Sequence, residues 1–200
     1  GGSARIEGVS RKMIITRAWA MPSHRTFSIK PIAALIERYH RGVSADPFAN
    51  DCRLATVTND LDDAFDTDHN MDALDFLKSL DKESMDTVFY DPPYSTRQVS
   101  ECYRKVGRTV NMETTQATFW TFIKREITRV VRPGGIVMSF GWNSGGIGKT
   151  LGFQIEEILL VAHGGPHNDT ICTVEKLVRA DEPAPLDLFS EIDKAPEPGS

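Results

Sequence analysis

The sequence is short of cysteine, of net positive charge and of long apolar runs, and each shortage excludes something. Its three cysteines, Cys52, Cys102 and Cys172, are odd in number and widely spaced. They do not form a disulfide framework and point to a reducing, cytoplasmic compartment. No apolar run approaches the roughly 18 residues that a membrane span needs, so no membrane partner is expected. No N-terminal stretch joins a basic start to an apolar core and a cleavage site, so secretion is not expected. The formal charge of -5 and the pI of about 5.6 lack the basic surplus usual in a phosphate binder. What is present is ordinary: 200 residues, 40% hydrophobic and 26% charged, enough for one domain with a real core.

The acidity is local. Gly1-Gly2-Ser3 reads as a linker scar. Residues 181–200 hold Pro183, Pro185, Pro196 and Pro198 among six acids, with Lys194 as the single base. That composition predicts an extended acidic tail. The body, residues 4–180, then carries 22 bases against 22 acids. The global charge therefore does not count against a nucleic-acid partner. The tail either shields a cleft or keeps the chain soluble, and deleting residues 181–200 separates the two by whether DNA affinity rises.

Apolar spacing predicts a helix from Pro31 to Tyr39, with Ile32, Leu35, Ile36 and Tyr39 on one face. Short strands are expected at Val43–Asp46 and Leu54–Thr58, and a short helix at Ala73–Leu80 carrying Leu74, Leu77 and Leu80. A strand at Met85–Tyr90 stops at Asp91-Pro92-Pro93-Tyr94, because two prolines cannot continue a central ladder. A long amphipathic helix at Thr115–Val131 (Phe119, Phe122, Ile123, Ile127, Val130) ends at Pro133-Gly134-Gly135. Further strands are expected at Ile136–Phe140, Ile155–Ala162 and Thr170–Glu175. Alternating strands and helices mean an α/β domain with a mostly parallel sheet, whose ligands bind at the carboxyl ends of the strands.

The Asp91-Pro92-Pro93-Tyr94 run sits at such an end. As a bare turn sequence it is ordinary. In its setting the chain resembles the S-adenosylmethionine-dependent amino-methyltransferases of DNA, whose catalytic motif reads (D/N/S)-P-P-(Y/F). The resemblance covers roughly residues 24–176 and is nearest to the adenine-N6 type of phage and prophage. It implies a Rossmann-like methyltransferase fold, a mostly parallel sheet with helices on both faces, and S-adenosylmethionine as cofactor. Arg25-Thr-Phe-Ser-Ile-Lys-Pro31 is similar to the family's methionine-side motif and implicates Phe27, Ser28, Lys30 and Pro31. Asp46-Pro47-Phe48-Ala49 is similar to its D-P-F-x-G-x-G loop and implicates Asp46, Phe48 and Ala49. Asp60 falls where the family places an acid on the cofactor ribose. Asp72-Ala73 falls near the cofactor adenine. Arg129-Val-Val-Arg-Pro-Gly-Gly135 before a strand is another recurring feature. The loop departs from the pattern: it reads Asp46-Pro47-Phe48-Ala49-Asn50-Asp51-Cys52, without the two glycines, and Ala49 is the smallest substitute.

The chemistry suits these residue types. An exocyclic amine on an aromatic base is a poor nucleophile because its lone pair is delocalised. The Asp91 carboxylate and the Pro92 carbonyl can each accept one N–H, localising that lone pair. Pro92 and Pro93 fix the backbone that aims the acceptors, and Tyr94 offers a plane on which an unstacked base can rest. Cytosine-N4 transfer on DNA and adenine transfer on RNA use the same amine chemistry and remain open. So does a methyltransferase-like domain that binds DNA or a protein without catalysis.

Residues 95–114 carry Arg97, Arg104, Lys105 and Arg108 against Glu101 and Glu113, with Gln98 and Tyr103 among them. This segment is the expected contact to phosphates and flanking bases, with Asn143 and Lys149 as further candidates beside Trp142. No large insertion is present. Recognition is then short or relaxed, or is supplied by a protein partner or a second copy of the chain. Asn143-Ser-Gly-Gly-Ile-Gly-Lys-Thr150 nearly matches a nucleotide-binding loop, but the first glycine is asparagine and a strand follows. His163-Gly-Gly-Pro-His167 with Cys172 matches no metal spacing and reads as a hairpin, so no metal site is assigned. Cys52 has no histidine near it in sequence and is not assigned as a nucleophile.

Overall fold

The computed structural model describes residues 13–93, 101, 104 and 117–178. Seven strands form one sheet: β1 (Ile14–Trp19), β2 (Ser44–Asp46), β3 (Val57–Thr58), β4 (Met85–Tyr90), β5 (Val131–Gly141), β6 (Phe153–Ala162) and β7 (Thr170–Leu177). Their order is β1-β6-β7-β5-β4-β2-β3, and every pairing is parallel except those of β7 with β5 and β6. Among the described residues, three helices pack on it, α1 (Lys30–Tyr39), α2 (Ala73–Ser79) and α3 (Ala117–Val130).

Alternation along the strands sorts the core into two layers. Phe89, Ile136, Met138, Phe140, Leu159, Val161 and Val174 face Ile32, Leu35 and Ile36 of α1. Val88, Tyr90 and Val137 face Phe76 and Leu77 of α2 and Ile123, Ile127 and Val130 of α3. Helices thus cover both faces, and the fold is the Rossmann-like α/β arrangement expected. From β2 the sheet grows outward to β3 on one side, and on the other through β4 to the rest. The strand order reverses between β2 and β4, and the crevice at their carboxyl ends is the place where such sheets bind ligands.

Several boundaries differ from expectation for identifiable reasons. The second strand is only Val57–Thr58, not Leu54–Thr58. Upstream of it the Ser44 and Thr56 amides each donate to the other's hydroxyl at 3.0 Å, so side chains replace the backbone ladder. In α2 the buried residues are Ala73, Phe76 and Leu77, while Leu74 and Leu80 are only partly covered. Phe122 of α3 is 39% exposed and not part of the core. The α3 helix yields to β5 at Val131, ahead of Pro133, and β5 runs through the proline-glycine pair. The register slips there, from Met85 opposite Val131 to Thr87 opposite Ile136, so the extra residues bulge out. Gly134 has φ +80, and a Cβ on Gly135 would lie 2.7 Å from the Val131 side chain, so only glycines make this turn. Arg129 caps α2 by donating to the Leu77 and Leu80 carbonyls, each at 2.9 Å, and Arg132 pairs with Asp86 at 2.7 Å. Strand β1 has no counterpart in the sequence reading. It adds to β6 at the sheet edge and is almost wholly exposed.

Phe76 is fully buried between α2, α3 and the sheet. Phe76→Ala is expected to cost about 3–5 kcal/mol of unfolding free energy, measured by denaturant titration.

Candidate functional site

Strand β2 ends in Asp46 and β4 runs into Asp91, on the two sides of the crevice. A cleft of about 440 Å³ opens there, lined by Arg25–Ser28 from the turn before α1, by residues 48–54, and by both aspartates. A second cleft of about 240 Å³ lies beside it, lined by Tyr90, Pro92 and Pro93, by Trp120 and Lys124 of α3, and by Ser139–Asn143. Of residues 90–93, Asp91 faces the first space and Tyr90, Pro92 and Pro93 face the second, so the end of β4 is the wall that separates them.

Both carboxyl groups are held inside the protein. Asp46 is 1% exposed and accepts the Phe48 amide at 3.0 Å. Loss of hydration pushes its pKa up to about 8, with smaller contributions from the Asp91 and Asp60 charges. Asp91 keeps part of its surface on the cleft, yet burial of its carboxyl group raises its pKa to about 7, against a hydrogen bond from the Thr26 hydroxyl that lowers it. A cationic group entering this cleft would meet acceptors that favour it.

The loop after β2 explains the missing glycines. Asn50 sits at φ +50, the left-handed region where asparagine is the best-tolerated substitute for glycine. Its amide donates to Asp60 at 2.9 Å, and the Ala49 amide donates to the Asn59 carbonyl at 2.9 Å. Asn59 is fully buried and ties Pro47 to Met71 through its side-chain amide. Cys52, at the second glycine position, lines the cleft as a free thiol whose pKa burial raises.

Of the cofactor residues expected from sequence, Phe27, Ser28, Asp46, Phe48 and Ala49 converge on the first cleft. Phe27 is fixed there by its packing on Phe89 and Phe140, at ring distances of 5.3 and 4.8 Å. Lys30, Pro31, Asp60, Asp72 and Ala73 do not line it. Lys30 is exposed and, with Pro31, opens α1; Asp60 braces Asn50; Asp72 caps α2 by accepting the Leu74 amide at 2.9 Å; Ala73 is buried under α2. Asp91, Pro92 and Pro93 stand at the wall, while Tyr94 lies outside the described residues. Among the nucleic-acid candidates, Arg97, Gln98, Tyr103, Lys105 and Arg108 also lie outside them, and Arg104 is exposed. Asn143 lines the second cleft, and its side chain accepts the Gly145 amide at 2.9 Å. Lys149 lines a different groove, beside Met13 and Phe153. The segment from Lys149 makes a single turn and enters β6, as the sequence predicts. The Gly164-Gly165-Pro166 connection joins the antiparallel strands β6 and β7, and the His163 ring bonds to Ala20 and Thr170, each at 2.8 Å.

Sequence reasoning missed several contributors. Thr26 lies inside the segment singled out, yet its bond to Asp91 joins residues 65 apart in the chain. Glu175 of β7 is fully buried and accepts the Ile147 and Gly148 amides at 2.6 and 3.0 Å, pinning the loop that walls the second cleft. A Cβ at Gly146 would lie 2.2 Å from that carboxylate, which is why a glycine stands there. Trp120 meets Phe48 at 6.4 Å across the top of α3. In the sequence these loops carry only local turn signals.

No protein-family profile and no curated protein sequence matches the chain. Among solved structures it is similar to the proposed methyltransferase yhhF from Escherichia coli, at 10% identity and TM-score 0.43, over 75% of this chain and 86% of that one. It is likewise similar to the proposed methylase HI0767 from Haemophilus influenzae, at 12% identity and TM-score 0.42, over 75% of this chain and 96% of that one. Likeness at this level adds nothing to the fold, which stands on strand order and register.

A buried acid with a raised pKa binds its proton more tightly when folded. Its contribution to stability is full below the unfolded value of 3.8 and is lost as pH rises through the folded value. Melting temperature is therefore expected to fall between pH 4 and about 8, and Asp46→Asn is expected to flatten that slope.

Proposed function

We propose that the chain transfers a methyl group from S-adenosylmethionine to the exocyclic amine of adenine in DNA, with short or relaxed sequence recognition. The observation that carries this reading is the wall at Asp91-Pro92-Pro93, with a buried carboxyl group on one side and an aromatic-lined cleft on the other. The first cleft suits the cofactor in volume and chemistry: about 440 Å³ is in the range that holds a nucleoside-sized ligand. Phe27 and Phe48 provide apolar surface, and Asp46 and Asp91 provide acceptors for cationic groups. S-adenosylmethionine, when bound, supplies an electrophilic methyl group on a sulfonium.

The residues of the chain do the rest by position. Phe27, Ser28, Asp46, Phe48 and Ala49 hold the cofactor. Trp120 and Trp142 line the second cleft and offer planes for a base taken out of its stack. The base amine meets the wall from that side and donates to the Pro92 carbonyl and the Asp91 carboxylate. Those bonds fix the nitrogen lone pair toward the first cleft. The Thr26 hydroxyl holds the Asp91 carboxyl in place. Arg97, Arg104, Lys105 and Arg108, with Gln98, Tyr103, Asn143 and Lys149, supply contacts to the strand, and Tyr94 supplies a further stacking surface.

Incubation with labelled S-adenosylmethionine and DNA or RNA of defined base composition tests the reading. Label is expected on adenine-bearing DNA; label confined to adenine-free DNA sinks it. Asp91→Ala is expected to lower transfer by about 100-fold or more while the fold and cofactor binding persist. Because the ionised Asp91 carboxylate is the stronger acceptor and no longer donates, transfer is expected to rise with pH through about 7.

A further inference from the structure

Ser139 of β5 stands opposite Tyr90 of β4, so both side chains lie on the α3 face of the sheet. It is 8% exposed, and its hydroxyl has no hydrogen-bond partner among the described residues. Native structures rarely leave a buried hydroxyl unpaired without a reason. Its neighbour across the ladder, Thr173 of β7, is also unpaired, so the two do not satisfy each other. Ser139 differs in lining the second cleft, with Pro92, Trp120 and Lys124. Adjacent strands lie about 4.8 Å apart, which puts Ser139 one strand over from the Asp91-Pro92 wall.

We propose that Ser139 is a specificity-determining residue whose hydroxyl donates a hydrogen bond to a ring nitrogen of the target base. The inference rests on the proposed function. With the amine hydrogens committed to Asp91 and Pro92, the neighbouring ring positions of adenine present acceptors, and a hydroxyl supplies a donor. A serine side chain turns about one bond, so its hydroxyl swings from the wall into the cleft when an acceptor arrives. An empty cleft leaves the hydroxyl unpaired, and an occupied one satisfies it.

The test uses the full chain, S-adenosylmethionine and single-adenine DNA strands in which that adenine is replaced by 1-deaza-, 3-deaza- or 7-deazaadenine. Wild type, Ser139→Ala and Ser139→Thr are compared, with KM and kcat measured separately. One analogue is expected to raise the wild-type KM by about tenfold, the scale of one hydrogen bond. Ser139→Ala is expected to raise KM for plain adenine by a similar factor, to be indifferent to that analogue, and to change kcat by less than about threefold. Ser139→Thr is expected to restore the discrimination. Ser139→Ala is also expected to keep or raise the melting temperature, since it removes an unpaired buried hydroxyl. Equal analogue penalties in wild type and Ser139→Ala, or an unchanged KM, overturn the role of Ser139 while leaving the proposed function standing. No transfer by the wild type to any nucleic acid overturns both.

Discussion

Two carboxyl groups brought out of water at the ends of neighbouring parallel strands set the terms for everything around them. Burial raises the proton affinity of each, and the Asp91 charge adds to the shift at Asp46. Such an arrangement survives only where the surrounding chain supplies compensating bonds. The Phe48 amide answers Asp46, and the Thr26 hydroxyl answers Asp91. The loop after β2 must bend sharply to bring that amide round, hence the left-handed Asn50 and its brace to Asp60. The turn before α1 must lie over the strand ends to bring the hydroxyl, hence the seating of Phe27 on Phe89 and Phe140. Fold and site are here a single problem, solved at the point where the sheet changes direction.

The scaffold was largely legible because its signals are local and periodic. Strand β4 falls where the apolar run and the two prolines put it, and the buried stripe of α1 follows its spacing. Strand β1 was illegible because Ile14–Trp19 alternates with nothing: almost the whole strand is exposed, and only pairing with β6, more than 140 residues away, makes it a strand. The shortened β3 was hidden for a related reason, because the Ser44 and Thr56 side chains compete with a ladder that propensity alone would extend.

The same division holds at the site. Phe27, Ser28, Asp46, Phe48 and Ala49 could be placed because each belongs to a contiguous motif. Asp60 and Asp72 were implied by the family resemblance, and in the fold each accepts a nearby backbone amide. Thr26, Ser139 and Glu175 could not be picked out, since their surroundings exist only once distant strands and turns have met.

The wall between the clefts is one strand end thick, and this limits what genetics can dissect. Asp91 faces one compartment and Tyr90, Pro92 and Pro93 the other, so a backbone shift anywhere in this segment reaches both. Phe27 and Ala49 touch one compartment, and Trp120 and Ser139 the other. Alleles at those flanking positions are the ones that can be combined and scored for independence. The fold thus offers two separable sets of positions joined by a short segment of backbone common to both.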